Sequence, residues 1–222
     1  MANLTQLRQL ETLNGLLLVD KPAGIAFSSV VKSVKRKFNL PKVGHGGSLD
    51  AMASGLMIVI LGETNKFADR IMGEDREYEG TARLGLKTNT GDIYGAEMPG
   101  AAAEFGKDLS EFKGDIFQTE PRFCSVRKEG SAGYETADTG EHGQFMTHVY
   151  RLTTEGNRFS LKCTARTIVR ALVSDMGAAV ESLRRTAIGK WRVEDAVPFA
   201  TLLEAEMGDL PKWVKPLGIA WR

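Results

Sequence analysis

A glycine-rich segment, residues 44–50 (GHGGSLD), places an imidazole and a carboxylate on a flexible stretch of backbone. Glycine lets a backbone approach a ligand closely, and an aspartate on a loop carried by a firm strand can be aimed at a reacting centre. Taken alone, Asp50 is also typical of a turn or helix-cap aspartate, and His45 of a hydrogen-bonded loop histidine. The segment is therefore a candidate site for chemistry, with a structural role as the alternative.

Several other kinds of site are missing from the sequence. The histidines His45, His142 and His148 do not stand near cysteines or carboxylates at ligand spacing, so we expect no metal. A glycine-rich phosphate loop with its lysine, and a serine on an elbow motif, are also absent. The candidate chemistry thus rests on Asp50 and its surroundings.

The elements that would position this segment are of mixed α/β type. Residues 16–20 predict a short buried strand closed by a turn at residues 21–24, and Ser28 or Ser29 can cap a helix to about Phe38. That helix has an apolar face of Val30, Val31, Val34 and Phe38, and a cationic face of Lys32, Lys35 and Arg36.

Residues 42–54 have the composition of a loop, and the apolar run at residues 56–61 predicts a buried strand behind Asp50. Alternation at residues 78–86 and 158–163 predicts half-buried strands. From Thr167 the spacing becomes helical, which places Arg170 in the first turn of a helix with an apolar face of Val169, Leu172, Met176 and Val180.

The composition fits one globular unit, because 222 residues can bury a sizeable core. The longest apolar run, residues 56–61, is too short to cross a bilayer, and the N-terminus lacks a signal-like pattern, so we expect a cytoplasmic protein with no membrane partner. Residues 121–145 have the composition of a mobile insertion.

Basic residues form two clusters although the net charge is only +1. Such clusters fit a polyanion bound at one face, with ordinary solvated surfaces as the alternative. The first cluster is Lys21, Lys32, Lys35, Arg36, Lys37 and Lys42, and the second is Arg166, Arg170, Arg184, Arg185, Lys190 and Arg192.

Several motifs, in order, resemble the TruB family of tRNA pseudouridine synthases from about Asn14 to Val197. The first is residues 15–24 (GLLLVDKPAG), and residues 44–50 followed by Ala53 and Gly55 resemble the family's catalytic motif. Later matches are residues 61–63 (LGE) with Lys66 and Phe67, Tyr78, residues 82–85 (ARLG) with Thr88, Thr90 and Asp92, Phe112 and Gly114, Pro121, Ser125 and Lys128, residues 163–170, and residues 183–185 (LRR).

The resemblance implies a mixed, mainly antiparallel β-sheet flanked by helices, with a central basic active-site cleft. It implies isomerisation of a uridine in the tRNA T-loop, position 55, to pseudouridine. The base is detached from C1′ of the ribose, turned over and rejoined through C5, which requires no cofactor. Because the folded loop hides the base, it must be flipped into a pocket.

The resemblance also assigns roles by position. Asp50 would be the essential carboxylate, Arg170 its cationic partner, and Tyr78 would stack on the base with its hydroxyl near C5. His45 would fill the gap left by the extruded base, and Leu183 would form an apolar wall. Gly47 belongs to the catalytic motif, and the residues expected to meet RNA phosphates are Lys21, Lys66, Lys35 and Arg36.

We therefore expect one catalytic domain over residues 1–222, with a core at about residues 14–197 and an RNA-contacting insertion at about 121–145. We expect no PUA domain, a monomer, and the T-arm stem-loop of tRNA as partner. Two alternatives stay open: a tRNA-binding or folding module with weak or lost catalysis, and the same chemistry on another RNA stem-loop.

Overall fold

The computed structural model describes residues 10, 12–99, 105, 108–119 and 143–217. The chain divides into two compact units, of which the first comprises Met1–Glu74 with Arg185–Arg222 and the second Asp75–Arg184. The boundary after Arg184 falls within one strand, Ala178–Ile188. The single catalytic domain expected from the sequence stays a prediction.

The described residues form eleven β-strands and five α-helices. The strands are β1 (Gly15–Lys21), β2 (Val43–His45), β3 (Ser54–Leu61), β4 (Arg76–Leu84), β5 (Gly114–Thr119), β6 (Gln144–Glu155), β7 (Arg158–Cys163), β8 (Ala178–Ile188), β9 (Trp191–Arg192), β10 (Val197–Pro198) and β11 (Val214–Lys215). The α-helices are α1 (Phe27–Lys37), α2 (Ala68–Met72), α3 (Val169–Asp175), α4 (Phe199–Glu204) and α5 (Leu210–Trp213).

The first unit is organised around β1 and β3, which pair antiparallel along their length. Both strands are almost entirely apolar and buried, as expected for strands covered on both faces. β10 adds to β1 in parallel and β2 adds to β3 antiparallel. One apolar cluster joins Leu16, Ile58, Ile71 and Trp191. The buried strand predicted behind Asp50 is therefore confirmed.

The second unit is a sheet in which β4 lies between β8 and β7, with β6 and β5 following. The pairs β4/β7, β6/β7 and β5/β6 are antiparallel. Alternate side chains of β7 are buried, as its sequence predicted, and α3 packs near β5. A mixed, mainly antiparallel sheet with flanking helices is thus confirmed, and the basic cleft stays a prediction.

Two details near the first unit's loop differ from the sequence-based prediction. The stretch at residues 42–54 is not all loop, because Val43 pairs with Leu61 and His45 with Val59 to form β2. Helix α1 begins at Phe27 without a side-chain cap, so capping by Ser28 or Ser29 was wrong. A serine inside the first turn no longer stands before the free N–H groups that a cap must reach.

Helix α3 is shorter than its apolar spacing predicted. It ends at Asp175, and Gly177 then adopts a positive φ of 85°, a conformation that favours glycine and terminates helices. Val180, predicted on the helical face, lies in β8, where its N–H donates to the carbonyl of Gly91 at 2.9 Å. Arg170 does lie in the first turn, as predicted.

Residues 120–142, which make up most of the predicted insertion at 121–145, lie outside the described residues. Gln144 and Phe145 belong to β6. In the part of the chain that the structure describes, no helix has the length and apolar character needed to cross a membrane.

Candidate active site

Asp50 lies on a short loop between β2 and β3 in the first unit. Its side chain is half-buried, and its carbonyl accepts a hydrogen bond from the N–H of Ala53 at 3.1 Å. The neighbouring Leu49 is buried. The carboxylate is therefore carried on a turn that leads directly into the buried strand β3.

Arg185, in the C-terminal half of β8, supports this loop through hydrogen bonds to its backbone. The side chain is 1% exposed, and its guanidinium donates to the carbonyl of Ser48 at 2.7 Å and to that of Leu56 at 2.8 Å. A longer contact of 3.5 Å reaches the carbonyl of Gly47. The planar fork of arginine suits several acceptors at once. One buried cation thus fixes the backbone on both sides of the Asp50 turn.

Gly55 allows this approach of β3 to Arg185. A Cβ on Gly55 would lie 2.3 Å from the carbonyl oxygen and 2.7 Å from the nitrogen of Arg185, and its φ is +105°. Assigning Arg185 to a basic surface cluster was therefore wrong. The signal for burial was the period of two along β8, because Arg185 shares a strand face with the buried Ala187.

Lys21 holds the other side of the loop. It is fully buried at 0% exposure, and its ammonium donates to the carbonyls of Pro22 (2.9 Å), Ile25 (2.7 Å) and Ala51 (3.2 Å). Burial lowers the pKa of Lys21 to about 8, with a further contribution from the charge of Arg185 and an opposing one from Asp50. The phosphate contact expected for Lys21 does not fit this position, because the ammonium faces backbone oxygens inside the unit.

His45 and Gly47 complete the loop. The Nδ1 atom of His45 accepts a hydrogen bond from the N–H of Gly47 at 3.2 Å, so in the neutral ring the hydrogen sits on Nε2. The ring meets Phe27 edge-on at a centroid distance of 5.1 Å. The first unit therefore brings four of the predicted site residues to one loop and its supports, namely Lys21, His45, Gly47 and Asp50.

The predicted cationic face of α1 is confirmed. Lys35 and Arg36 are exposed, whereas Val30 and Val34 are buried. Lys66 is exposed on the 3₁₀ turn that follows β3, with its ammonium 5.2 Å from the ring centroid of Phe67. The RNA contacts of these three cations stay predictions.

The second unit carries Tyr78, Leu183 and Arg170. Tyr78 lies on β4 opposite Leu161 of β7, Leu183 lies on β8, and the side chains of both predicted residues are buried. Their contacts with a flipped base stay predictions.

Arg170 is buried in the first turn of α3 and is held by the loop that follows β4. Its Nη1 donates to the carbonyl of Thr90 and lies 3.9 Å from a carboxylate oxygen of Asp92. Asp92 is itself fixed by the hydroxyl of Thr90 at 2.8 Å and the N–H of Tyr94 at 3.0 Å. The sequence singled out Asp92 only as part of a motif, and the structure makes it an anchor for Arg170.

Comparison of the sequence with known proteins identifies its family. The family model described as TruB family pseudouridylate synthase (N terminal domain) matches residues 35–156. The tRNA pseudouridine synthase B of Opitutus terrae is 32% identical over 225 residues, covering 92% of this chain and 93% of that protein. This chain belongs to the TruB family. It is therefore an RNA pseudouridine synthase, an isomerase, as the motifs predicted.

A second relative and one solved structure are also similar to this chain. The tRNA pseudouridine synthase B of Aromatoleum aromaticum is 35% identical over 216 residues, covering 89% of this chain and 70% of that protein. A Cbf5-Nop10-Gar1 complex contains a chain of similar fold, with a TM-score of 0.64 and 24% identity. The present chain is covered to 90% but spans only 57% of that chain, so the likeness supports the fold alone.

Among the residues that the structure describes, no three His, Cys, Asp or Glu side chains are grouped so that they could hold a metal ion.

Proposed function

We propose that this TruB-family enzyme converts uridine 55 in the T-loop of tRNA to pseudouridine, with Asp50 as the essential carboxylate. The names of the relatives, tRNA pseudouridine synthase B, support tRNA as the substrate. The motif that contains Asp50 supports the catalytic role.

The observation that carries the assignment of Asp50 is the way its loop is held. The carbonyl of Ser48, two residues before Asp50, accepts from Arg185, and the carbonyl of Ala51, one residue after it, accepts from Lys21. Burying two cations is costly unless their hydrogen bonds are satisfied. A loop fixed in this way keeps its carboxylate oriented before substrate binds, which lowers the entropic part of a reaction barrier.

The reaction needs this carboxylate and no redox step. The C1′–N1 bond of the uridine breaks, the base turns, the C1′–C5 bond forms, and the proton on C5 leaves while N1 gains one. Asp50 would act as a charged carboxylate whether it attacks the sugar, attacks the base or removes a ribose proton. Tyr78 would stack on the flipped base, Arg170 would supply positive charge, and Leu183 would line the pocket.

The decisive experiment compares wild type with Asp50→Asn on a T-arm stem-loop that carries uridine tritiated at C5. Asparagine has nearly the size of aspartate but lacks its charge. We expect tritium release to be abolished while the stem-loop binds about as tightly as to wild type, because removing a negative charge does not weaken attraction to a polyanion. Residual turnover within about tenfold of wild type would remove Asp50 from this role.

The same two measurements, stem-loop binding and tritium release, separate the proposed enzyme from the two alternatives. Wild-type protein that binds the stem-loop without releasing tritium from it would indicate another RNA stem-loop as substrate, and failure to turn over any uridine-containing RNA would favour a binding module. Turnover of the stem-loop nearly as fast as full tRNA would support recognition by the T-arm alone.

The surface expected to meet RNA is the cationic face of α1. Replacing Lys35 or Arg36 by Glu should weaken binding of the stem-loop whatever its base sequence. The slope of log affinity against log salt concentration should become shallower by about one unit or more, because at least one fewer phosphate is neutralised. Unchanged affinity and slope would remove this helix from the RNA interface. A cytoplasmic, monomeric enzyme stays part of the proposal.

A further inference from the structure

Gln118 is a buried amide on β5 that neither the motifs nor the proposed chemistry uses. It is 1% exposed, and it makes two hydrogen bonds to a single residue 50 positions further along the chain. Its Nε2 donates to the carbonyl of Ile168 at 3.1 Å, and its Oε1 accepts from the N–H of Ile168 at 2.9 Å. The side-chain amide of Gln118 therefore forms hydrogen bonds with both the N–H and the carbonyl of one residue.

Ile168 directly precedes α3, which begins at Val169. It is the N-cap of the helix and supplies no side-chain cap of its own. The turn before it is also attached to the β5–β6 pair, because the hydroxyl of Thr147 on β6 contacts those of Thr164 (2.7 Å) and Thr167. Side chains from two strands thus fix where α3 begins and in which direction it runs.

Arg170 lies two residues after Ile168, in the first turn of this helix. A helix of seven residues has little stability by itself, so its position depends on what holds its ends. The guanidinium of Arg170 reaches the carbonyl of Thr90 and approaches Asp92 from this first turn. A small shift of the helix start would therefore move the guanidinium away from its partners.

We infer that Gln118 is a positioning residue for the pseudouridine synthase reaction, acting by fixing the helix start that carries Arg170. The inference rests on the proposed role of Arg170. A side chain that only satisfied the two backbone groups of Ile168 would affect stability, whereas a positioning residue also controls the rate of the chemical step.

The first test replaces Gln118 by Met, which has a similar shape but forms neither hydrogen bond. We expect kcat to fall by about tenfold to a hundredfold, because misplacement of a reacting group by about 1 Å costs that much, while the dissociation constant for the stem-loop stays within about twofold. Leu152→Ala is the control, since Leu152 is buried on β6 opposite Leu161 of β7, and its truncation destabilises the same sheet while leaving both hydrogen bonds of Gln118 in place. At a temperature where both variants are folded, the control should keep the wild-type kcat.

The second test is Gln118→Glu measured against pH. An ionised glutamate can still accept from the N–H of Ile168, but it presents an oxygen to the carbonyl of Ile168. A protonated glutamate can donate to that carbonyl and so restores both hydrogen bonds. Burial raises the pKa of a carboxyl group. The ratio of variant to wild-type kcat should therefore rise as pH is lowered from 8 to 6, with RNA affinity unchanged relative to wild type.

Gln118→Met with wild-type kcat, or with a loss no larger than that of an equally destabilised Leu152→Ala, overturns the inference. A kcat ratio for Gln118→Glu that does not change with pH also counts against it. Arg170→Lys is measured in parallel. If that variant keeps full turnover, the role of Arg170 in the proposed function fails, which is a different outcome from a tolerant Gln118 beside an essential Arg170.

Discussion

Replacing Arg185 by Met should damage both the stability of the protein and the geometry of the catalytic loop. Methionine fills similar volume but cannot donate to the carbonyls of Ser48 and Leu56, which Arg185 binds at 2.7 and 2.8 Å. Arg185 is buried, so water does not simply take its place. The loop that presents Asp50 would lose its fixed support on one side.

The magnitude follows from two opposing effects. Each short hydrogen bond from a charged donor contributes about 1.5–3 kcal/mol, and the 3.5 Å contact to Gly47 adds little. Removing the buried charge recovers part of this, because it avoids desolvation and relieves the repulsion that lowers the pKa of Lys21. We expect a net loss of about 2–4 kcal/mol in the free energy of unfolding. We also expect kcat to fall by at least about tenfold with stem-loop affinity within about threefold of wild type.

Denaturant unfolding gives the first quantity and tritium release with a binding titration gives the others. Arg184→Met is the matched control, because Arg184 is the adjacent arginine but is only half-buried. That control should change the free energy of unfolding by less than about 1 kcal/mol. Arg185→Met with stability within about 0.5 kcal/mol of wild type, or with an unchanged kcat, would refute the reasoning that this side chain supports the loop.

Three further outcomes follow from the same site. Because the pKa of Lys21 is lowered from 10.5 to about 8, the folded protein releases this proton at a lower pH than the unfolded chain does. The free energy of unfolding should therefore rise between about pH 8 and pH 10.5, by at most about 3 kcal/mol relative to Lys21→Met. Equal pH dependence of the two proteins, measured by denaturant unfolding, would contradict this. Gly55→Ala should lower the free energy of unfolding by more than about 3 kcal/mol, because φ is +105° and the new Cβ would lie 2.3 Å from the backbone of Arg185. Gly24→Ala, at a φ of +86° with open space around the new Cβ, should lower it by only about 1 kcal/mol. Similar losses in the two variants would argue against a close contact between Gly55 and Arg185. Excess chelator should leave turnover intact on a stem-loop that is stable without magnesium, and loss of activity that one transition metal restores would show a site that the sequence did not reveal.

The sequence by itself determined the local features of this protein. Apolar runs and alternation gave the strands on which Asp50 and Tyr78 depend, and helical spacing placed Arg170 in a first turn and turned Lys35 outward. Each of these properties depends on residues within one or two turns or strands of the chain. Motif order added the family, because several short patterns in sequence are more specific than one.

Only the tertiary structure decided which polar residues are buried and what they hold. Lys21 and Arg185 look like surface cations in the sequence, and Gln118 has no local signal, yet all three are buried against backbone groups. Arg185 lies 137 positions from Ser48, and Gln118 lies 50 positions from Ile168. A buried polar side chain is stabilised by whichever donors and acceptors the fold brings to it, and the local pattern of a sequence carries no record of partners at that separation.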